Sequence, residues 1–515
     1  MSKSVWIVDF GSQYTQLITR RSREVGFSSE IITFETLKKR FDRNERPKAL
    51  VLSGGPQSIF KDPRDYGFIF EGSTPILGIC YGMQIIGQVL GGKVEKGTTG
   101  EYGLSEIQFE KSANSYGLKN IFTSWMSHFD HLSEVPENFK VMLKSENGFI
   151  AGISHDSKPI WGLQFHPEVE HTEQGREILK TFFSKVAKLE TDWGSDQMLD
   201  EALSVIQKEN AGQILCAFSG GVDSLVAASL CEKINQENLH CFFVDHGLLR
   251  PQDIHHIHVL QENTKLNIQI VDAKEQFFSK LKGVDEPEAK RKIIGHEFIS
   301  VFEQKVHEYE NNHGIKFTHL LQGTLYPDVI ESVSPHGEEG ISSTIKSHHN
   351  VGGLPERMKL KLLEPLRYLF KDEVRNLGEK LGLEKPWVHR HPFPGPGIGV
   401  RVLGELTPKR VLQVGQSDQI LFEELHRNNL YQETWQALTV LIPVKTVGVK
   451  GDERAYEEVI CLRMVNSSDG MTATFSPMPH KFLSTVSRRI TNEVEGITRV
   501  VYDVTDKPPG TIEWE

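Results

Sequence analysis

Short apolar runs alternate with helical spacing through most of the chain. Val5-Trp6-Ile7-Val8 closes at Asp9-Phe10-Gly11, Ala49 to Leu52 stops at Ser53-Gly54-Gly55-Pro56, and Pro75 to Ile79 forms a third run. Each has the length of a buried strand ending in turn residues. A more β-rich stretch follows to about Phe165, closing with Ile160-Trp161-Gly162-Leu163-Gln164-Phe165. The polar segment Leu189 to Asp196 reads as a linker or helix cap. Beyond it, Ile214 to Phe218, Leu239 to Val244, Ile268 to Val271 and His319 to Leu321 read as strands. Leu225 to Ile234 and Pro287 to Phe302 have helical spacing, the second with Asp285 or Glu286 ahead of Pro287 at a helix start. Strands alternating with helices build a doubly wound parallel sheet, which binds ligands at the carboxyl ends of its strands. Pro392-Phe393-Pro394-Gly395-Pro396-Gly397 fits neither helix nor central strand, because three prolines lack N–H donors. It reads as a rigid connector to a last domain of about 120 residues. The expected fold class is α/β in three parts: 1–188, a doubly wound 189–391, and an α+β part at 392–515.

Length and composition narrow the function classes. A chain of 515 residues exceeds one core, and 38% hydrophobic with 25% charged residues is ordinary for a globular enzyme. A net charge of −11 gives no electrostatic footprint for nucleic acid. No apolar stretch follows Met1-Ser2-Lys3 and no run is long enough for a bilayer, so neither a signal peptide nor a membrane partner is expected. Cysteines 80, 216, 231, 241 and 461 show no C-x-x-C spacing, which suits a reducing cytoplasm. Cys216 and Cys241 fall in predicted strands and read as small core residues.

Ser219-Gly220-Gly221-Val222-Asp223-Ser224 lies between the first strand of the second part and its helix. A glycine turn at a helix start presents several N–H groups and the positive end of the helix dipole to one point, a site for an anion. Ser219 and Ser224 add hydroxyls. Asp223 would repel a bare phosphate but suits one carrying Mg²⁺. No lysine follows the glycines, so this is not a Walker loop. Gly87-x-x-x-x-Gly92-Lys93 imitates that loop, but Val94 stands where a hydroxyl must hold Mg²⁺, and Gly91-Gly92 reads as a helix stop. Ordinary turn chemistry would also accept Gly-Gly-Val-Asp-Ser. The parallel-sheet context favours the anion site.

Gly78-Ile79-Cys80-Tyr81-Gly82 has the form of a nucleophile elbow at a strand end, followed by the helical run Met83 to Leu90. The helix dipole there favours a thiolate. His166-Pro167-Glu168, after another strand, supplies a base and an acid to orient it. His255-His256-Ile257-His258 invites a metal reading, but it falls on a predicted helix face without further ligands and reads as solvated.

The Cys80, His166 and Glu168 trio resembles the triad of class I glutamine amidotransferases, which hydrolyse glutamine to glutamate and ammonia. Gly54-Gly55-Pro56 fits that family's oxyanion turn, which implies paired donors from the Gly55 and Tyr81 N–H groups. The glycine turn resembles the loop of ATP pyrophosphatases that adenylate a substrate. Nearly end to end, the chain resembles the glutamine-hydrolysing GMP synthase family, in which XMP becomes GMP. The stretches 245–250, 322–328, 345–355, 390–397 and 507–515 carry that likeness. The resemblance implies ATP with Mg²⁺ at Ser219, Gly220, Gly221, Val222, Asp223, Ser224 and Leu225, with Asp223 near the metal. Leu225 stands where the family commonly has a second serine. The resemblance also implies XMP contacts at Arg250, Lys507, Ile512 and Glu513, a lid loop carrying Lys346, and a homodimer through the last domain. Ser334 to Ser343 looks unlike the family's glycine-rich version.

Other glutamine-dependent adenylating synthetases remain alternatives. NAD synthetases carry a nitrilase-like glutaminase, which the triad type disfavours. Net acidity and the missing C-x-x-C pairs disfavour tRNA-modifying enzymes. A non-catalytic nucleotide sensor would be marked by loss of Cys80, His166 or Asp223, and all three are present.

Overall fold

The computed structural model describes all residues except 1–2, 98–99, 111–113, 115, 210, 333–359, 392, 451–452 and 468–471. Lys346, the 345–355 loop and Ser334 to Ser343 therefore lie outside the described residues. The backbone divides into two compact units, Met1–Met198 and Leu199–Glu515.

A nine-stranded sheet organises the first unit, in the order Ser29–Thr33, Val5–Asp9, Ala49–Leu52, Ile76–Ile79, Ile160–Leu163, Ile150–His155, Phe139–Ser145, Glu101–Phe109, Ile121–His128. The first five run parallel. Ala49–Leu52, Ile76–Ile79 and Ile160–Leu163 are buried along their whole length, as central parallel strands require. The remaining strands continue the sheet antiparallel, which is the β-rich stretch of the sequence. The helix after the elbow spans Tyr81–Val89, two residues earlier than its apolar spacing suggests, because the chain enters it directly from Cys80. Gly91, at φ 92°, follows its end, so the Walker-like spacing around Gly87 and Gly92 is a helix stop.

The second unit is built on five parallel strands in the order Ile268–Asp272, Leu239–Asp245, Gln213–Ala217, Phe317–Leu321, Lys361–Leu363. Chain order reverses on either side of Gln213–Ala217, which creates a crevice at its carboxyl end. The helix Val222–Asn235 starts there. The long helix expected from Pro287 runs to His313. Glu286 caps its start by accepting from the Ala289 N–H, and Gly314 at φ 64° ends it. The long strands Gln436–Lys450 and Glu453–Asn466 pair antiparallel, with Ile497–Tyr502 added parallel to the second. The helices Pro408–Arg427 and His480–Glu493 pack with this sheet through a core that includes Val414, Leu421, Ile460, Leu462, Phe482 and Ile490. Around the proline-rich connector, Gly397–Val400 forms a single 3₁₀ turn.

Candidate functional site

In the first unit Cys80, His166 and Glu168 gather at the carboxyl ends of two adjacent strands. Cys80 follows Ile76–Ile79 with φ 51° and ψ −104°, a conformation that L-residues rarely adopt. Its neighbours make that turn possible. A Cβ on Gly78 would lie 2.5 Å from the Gly82 backbone, and one on Gly82 would lie 2.2 Å from the Leu52 carbonyl oxygen. Both positions are closed to any larger residue.

His166 follows the neighbouring strand Ile160–Leu163. Its Nδ1 is 2.7 Å from Glu168 Oε1, which fixes the ring and leaves Nε2 as the nitrogen available to a thiol. Burial opposes a charged imidazole here. The Glu168 charge and the hydrogen bond with Cys80 outweigh it, holding the His166 pKa well above the usual histidine value. Tyr14 packs edge-on against the ring at 5.0 Å. The Cys80 thiol also lies 3.7 Å from the Ser127 carbonyl oxygen, an acceptor the sequence did not mark. Gly55 packs on the Phe10 carbonyl, where a Cβ would approach within 2.8 Å. A Cβ on Gly54 would be 3.2 Å from His166 Cε1 and 3.6 Å from Cys80 Cβ, so this glycine turn borders the dyad.

Asp62, which the sequence did not mark, clamps Tyr81, the residue after Cys80. Its fully buried carboxylate accepts from Tyr81 Oη at 2.5 Å, Tyr66 Oη at 2.5 Å and Arg64 Nε at 2.8 Å. Burial works against the carboxylate, but these bonds hold its pKa below the ordinary range; burial and the Asp62 bond push the Tyr81 hydroxyl up to about 12. The only sequence signal was the charged stretch Asp62-Pro63-Arg64-Asp65-Tyr66 between two strands. Asp62→Asn is expected to lower glutamine turnover by roughly tenfold or more, since small misplacements at a reacting centre are costly. Amination with ammonium salt should be unchanged. Steady-state rates with each nitrogen source check this, and equal rates for variant and parent would remove Asp62 from the account.

The second constellation surrounds the glycine turn of the other unit. Gly220 has φ 70°, and a Cβ there would meet Ile257 Cδ1 at 2.4 Å. The turn is tied internally: Ser219 Oγ lies 3.0 Å from Ser224 Oγ and accepts from the Gly221 N–H at 3.2 Å. Ser219 and Gly221 are exposed at the mouth, whereas Val222 and Leu225 turn their side chains into the core. The Leu225 N–H donates to the Gly221 carbonyl within the helix. Gly323, after Phe317–Leu321, passes so close that a Cβ would come within 2.8 Å of the Asp223 carbonyl carbon. The Asp223 carboxylate is bracketed by Lys371, whose Nζ lies 2.7 and 2.6 Å from its two oxygens. Among the described residues no cluster of three or more His, Cys, Asp or Glu side chains could hold a metal by itself. The one carboxylate suits a metal carried in by phosphates.

The histidine run on the helix Pro251–Asn263 corrects one expectation. His255 and His258 are exposed, but His256 is half-buried with Nε2 enclosed, 6.5 Å from the Trp387 ring. Burial and then the Arg390 charge push its pKa down to about 4. The helix turns this position inward beside buried Ile257, so it is not solvated.

Arg250 is buried, with Nε 2.8 Å and Nη2 2.9 Å from Asp253 and Nη1 3.3 Å from Asp418. Asp418 also accepts from Arg401, which holds Glu513 at 3.0 and 2.8 Å. One chain of charges thus joins Arg250 to the terminal segment. Ile512 packs on Leu438, Val440 and Cys461. Fully buried Lys290 holds Glu515. Lys507 pairs through its backbone with Ala473.

Residues 6–186 match the Glutamine amidotransferase class-I family, 195–292 the PP-loop domain, and 423–514 the GMP synthase C terminal domain. These define an amidotransferase joined to a PP-loop enzyme. Similarity to individual proteins extends over the whole chain. The GMP synthase [glutamine-hydrolyzing] of Chlorobium phaeovibrioides is 49% identical over 527 residues, covering 100% of both chains. The proteins of the same name from Helicobacter pylori and Aquifex aeolicus are 49% and 48% identical, covering 99% and 100% of this chain and 100% and 99% of their own. The chain belongs to the glutamine-hydrolysing GMP synthase family.

Proposed function

We propose that this enzyme makes GMP from XMP with glutamine as nitrogen donor, through the residues assembled above. The observation that carries the reading is that one chain of this family holds both an elbow cysteine with a histidine–glutamate pair and a glycine turn at a parallel-sheet switch point. The Cys80 thiolate attacks the glutamine amide carbon. The Gly55 and Tyr81 N–H groups receive the oxyanion, and His166 protonates the departing ammonia. Water then releases glutamate from the thioester. At the second site the XMP 2-oxygen attacks the α-phosphorus of ATP and pyrophosphate leaves. Ammonia adds at C2, and AMP departs with that oxygen.

Ser219 to Ser224 hold the β- and γ-phosphates by N–H and hydroxyl donors. Magnesium, held by Asp223, supplies charge neutralisation on those phosphates when bound. Arg250, Lys507, Ile512 and Glu513 form the XMP side in this reading; the Arg250–Asp418–Arg401–Glu513 chain of charges supports the joining of Arg250 to Glu513, and the other two rest on the family resemblance. Lys346 is the lid residue by family resemblance alone. The parts 1–188, 189–391 and 392–515 take the glutaminase, adenylation and dimer roles. All five cysteines are free, which supports a reducing, cytoplasmic setting.

Lys507 supplies a cation to the XMP phosphate in this reading. A charge-assisted contact contributes about 1.5–3 kcal/mol, so Lys507→Ala should weaken XMP binding about ten- to a hundredfold, with ATP binding little changed. Calorimetric titration with XMP measures this, and parent-like affinity would take Lys507 out of the site.

The hairpin of Gln436–Lys450 and Glu453–Asn466 supports the homodimer. It exposes Val444, Val447, Val449 and Tyr456, of which Val449 is 73% exposed, and Val447 lies opposite Tyr456. Clustered exposed apolar residues on a strand pair mark an interaction surface. Val449→Asp together with Tyr456→Asp should convert a dimer to a monomer by sedimentation velocity. A doubly substituted chain that sediments as the parent does would place the interface elsewhere.

A further inference from the structure

Cys80 and His166 must stay within reach of one proton transfer, and the strand ladder fixes only part of that relation. Ile76–Ile79 and Ile160–Leu163 pair directly, but the second strand ends at Leu163, before the chain reaches His166. Past that point the His166 main chain is held by the edge strand Ile121–His128. Three strands separate this edge strand from Ile160–Leu163 in the sheet order, so no shared ladder sets the distance between them. Direct contacts do. The His166 N–H donates to the Trp125 carbonyl at 3.1 Å. Phe165 meets Phe122 edge-on at 5.8 Å, and the His171 ring lies 5.2 Å from that of Trp125. Thr172 closes the same junction from its other side. Its buried hydroxyl accepts from the Trp125 N–H at 3.1 Å and donates to the His166 carbonyl at 2.7 Å. A hydroxyl has one proton to donate, and here it goes to the histidine main chain. Local structure does not account for this choice, because Gln174 holds the N-cap position of the following helix Gly175–Thr181. Two residues further along the edge strand, the Ser127 carbonyl faces the Cys80 thiol at 3.7 Å. One strand therefore touches both members of the dyad.

We propose that Thr172 is a positioning residue for glutamine hydrolysis, whose hydroxyl ties the His166 main chain to the edge strand and so sets the imidazole against the sulfur. The step it serves is the passage of the Cys80 proton to His166 Nε2 as sulfur bonds to the amide carbon. The same proton then goes to the nitrogen as the carbon–nitrogen bond breaks. Thr172 exchanges no proton with the substrate. Glu168 fixes which ring nitrogen faces the thiol, and Thr172 fixes where that nitrogen stands. The inference rests on the reading of Cys80, His166 and Glu168 as the glutaminase site.

Three full-length proteins test it: parent, Thr172→Val, which keeps the shape without the hydroxyl, and Thr172→Ser, which keeps the hydroxyl. In Thr172→Val, kcat for glutamine hydrolysis should fall about tenfold or more while KM changes less than about twofold, since misplacement acts on the reacting centre rather than on binding. Amination of XMP with ammonium salt should stay at the parental rate, and Thr172→Ser should recover most of the glutamine turnover. Labelling with iodoacetamide, read at the Cys80 peptide by mass spectrometry, separates geometry from folding, because the thiolate reacts and a well-placed imidazole promotes it. All of the Cys80 in Thr172→Val should react in one phase, about fivefold or more slower than in the parent at neutral pH. Parental turnover in Thr172→Val, a serine variant as slow as the valine one, or labelling split into a parental phase and a second phase would each overturn the proposal. A parent protein that hydrolyses no glutamine would instead overturn the glutaminase reading itself.

Discussion

Cys80→Ser is expected to abolish GMP formation from glutamine while leaving formation from concentrated ammonium salt nearly intact. The first half follows from the elbow. At Cys80 the backbone is held at φ 51° so that one side chain stands at the strand end, beside an imidazole that Glu168 keeps oriented. A serine there keeps the shape but not the acidity, and loss of a triad nucleophile costs roughly 10⁴-fold or more. The second half follows from the division of labour, because ammonia added from solution bypasses the amide cleavage. Paired assays with the two nitrogen donors measure both. Equal loss with both donors would mean that Cys80 supports the fold rather than the chemistry.

Asp223→Ala should stop the reaction with either nitrogen source. In the parent, Asp223 sits in the first turn of Val222–Asn235 with Lys371 across it, and Gly323 is packed against its carbonyl. In the proposed reading, removing the carboxylate would misplace the metal that offsets phosphate charge, and Lys371 would lose its partner in the empty site. Electrostatic groups of this kind contribute on the order of a hundredfold or more to rate. Pyrophosphate release with XMP, ATP and Mg²⁺ is the direct readout. Release at the parental rate would remove Asp223 from the adenylation site.

Local pattern carried the strands and both turns, because each rests on a few adjacent residues. Ala49 to Leu52 is a strand to the residue, and Leu239 to Val244 extends only by Asp245. Gly78 and Gly82 flanking Cys80 are required by contacts of 2.5 and 2.2 Å that any side chain would violate, so the spacing itself reported the geometry. The partners that complete the sites were not legible, since they come from far along the chain. Lys371 lies 148 residues from Asp223, and Asp418 lies 168 from Arg250. Arg250 was expected only as an XMP contact, and its burial with Asp253 and Asp418 in an internal chain of charges was not legible. His256 looked solvated because helical spacing alone does not reveal that Trp387 packs edge-on beside it. Asp62 stayed hidden for the same reason, being 19 residues from the Tyr81 hydroxyl it holds.

The most direct test of the central claim, that one chain draws nitrogen from glutamine and exchanges it for an adenylated oxygen, is a double-label experiment. The enzyme is supplied with amide-¹⁵N glutamine, XMP carrying ¹⁸O at the 2-position, ATP and Mg²⁺, and the products are read by mass spectrometry. The account predicts ¹⁵N in the 2-amino group of GMP and the ¹⁸O in the phosphate of AMP. Recovery of the ¹⁸O in pyrophosphate, inorganic phosphate or water would contradict it.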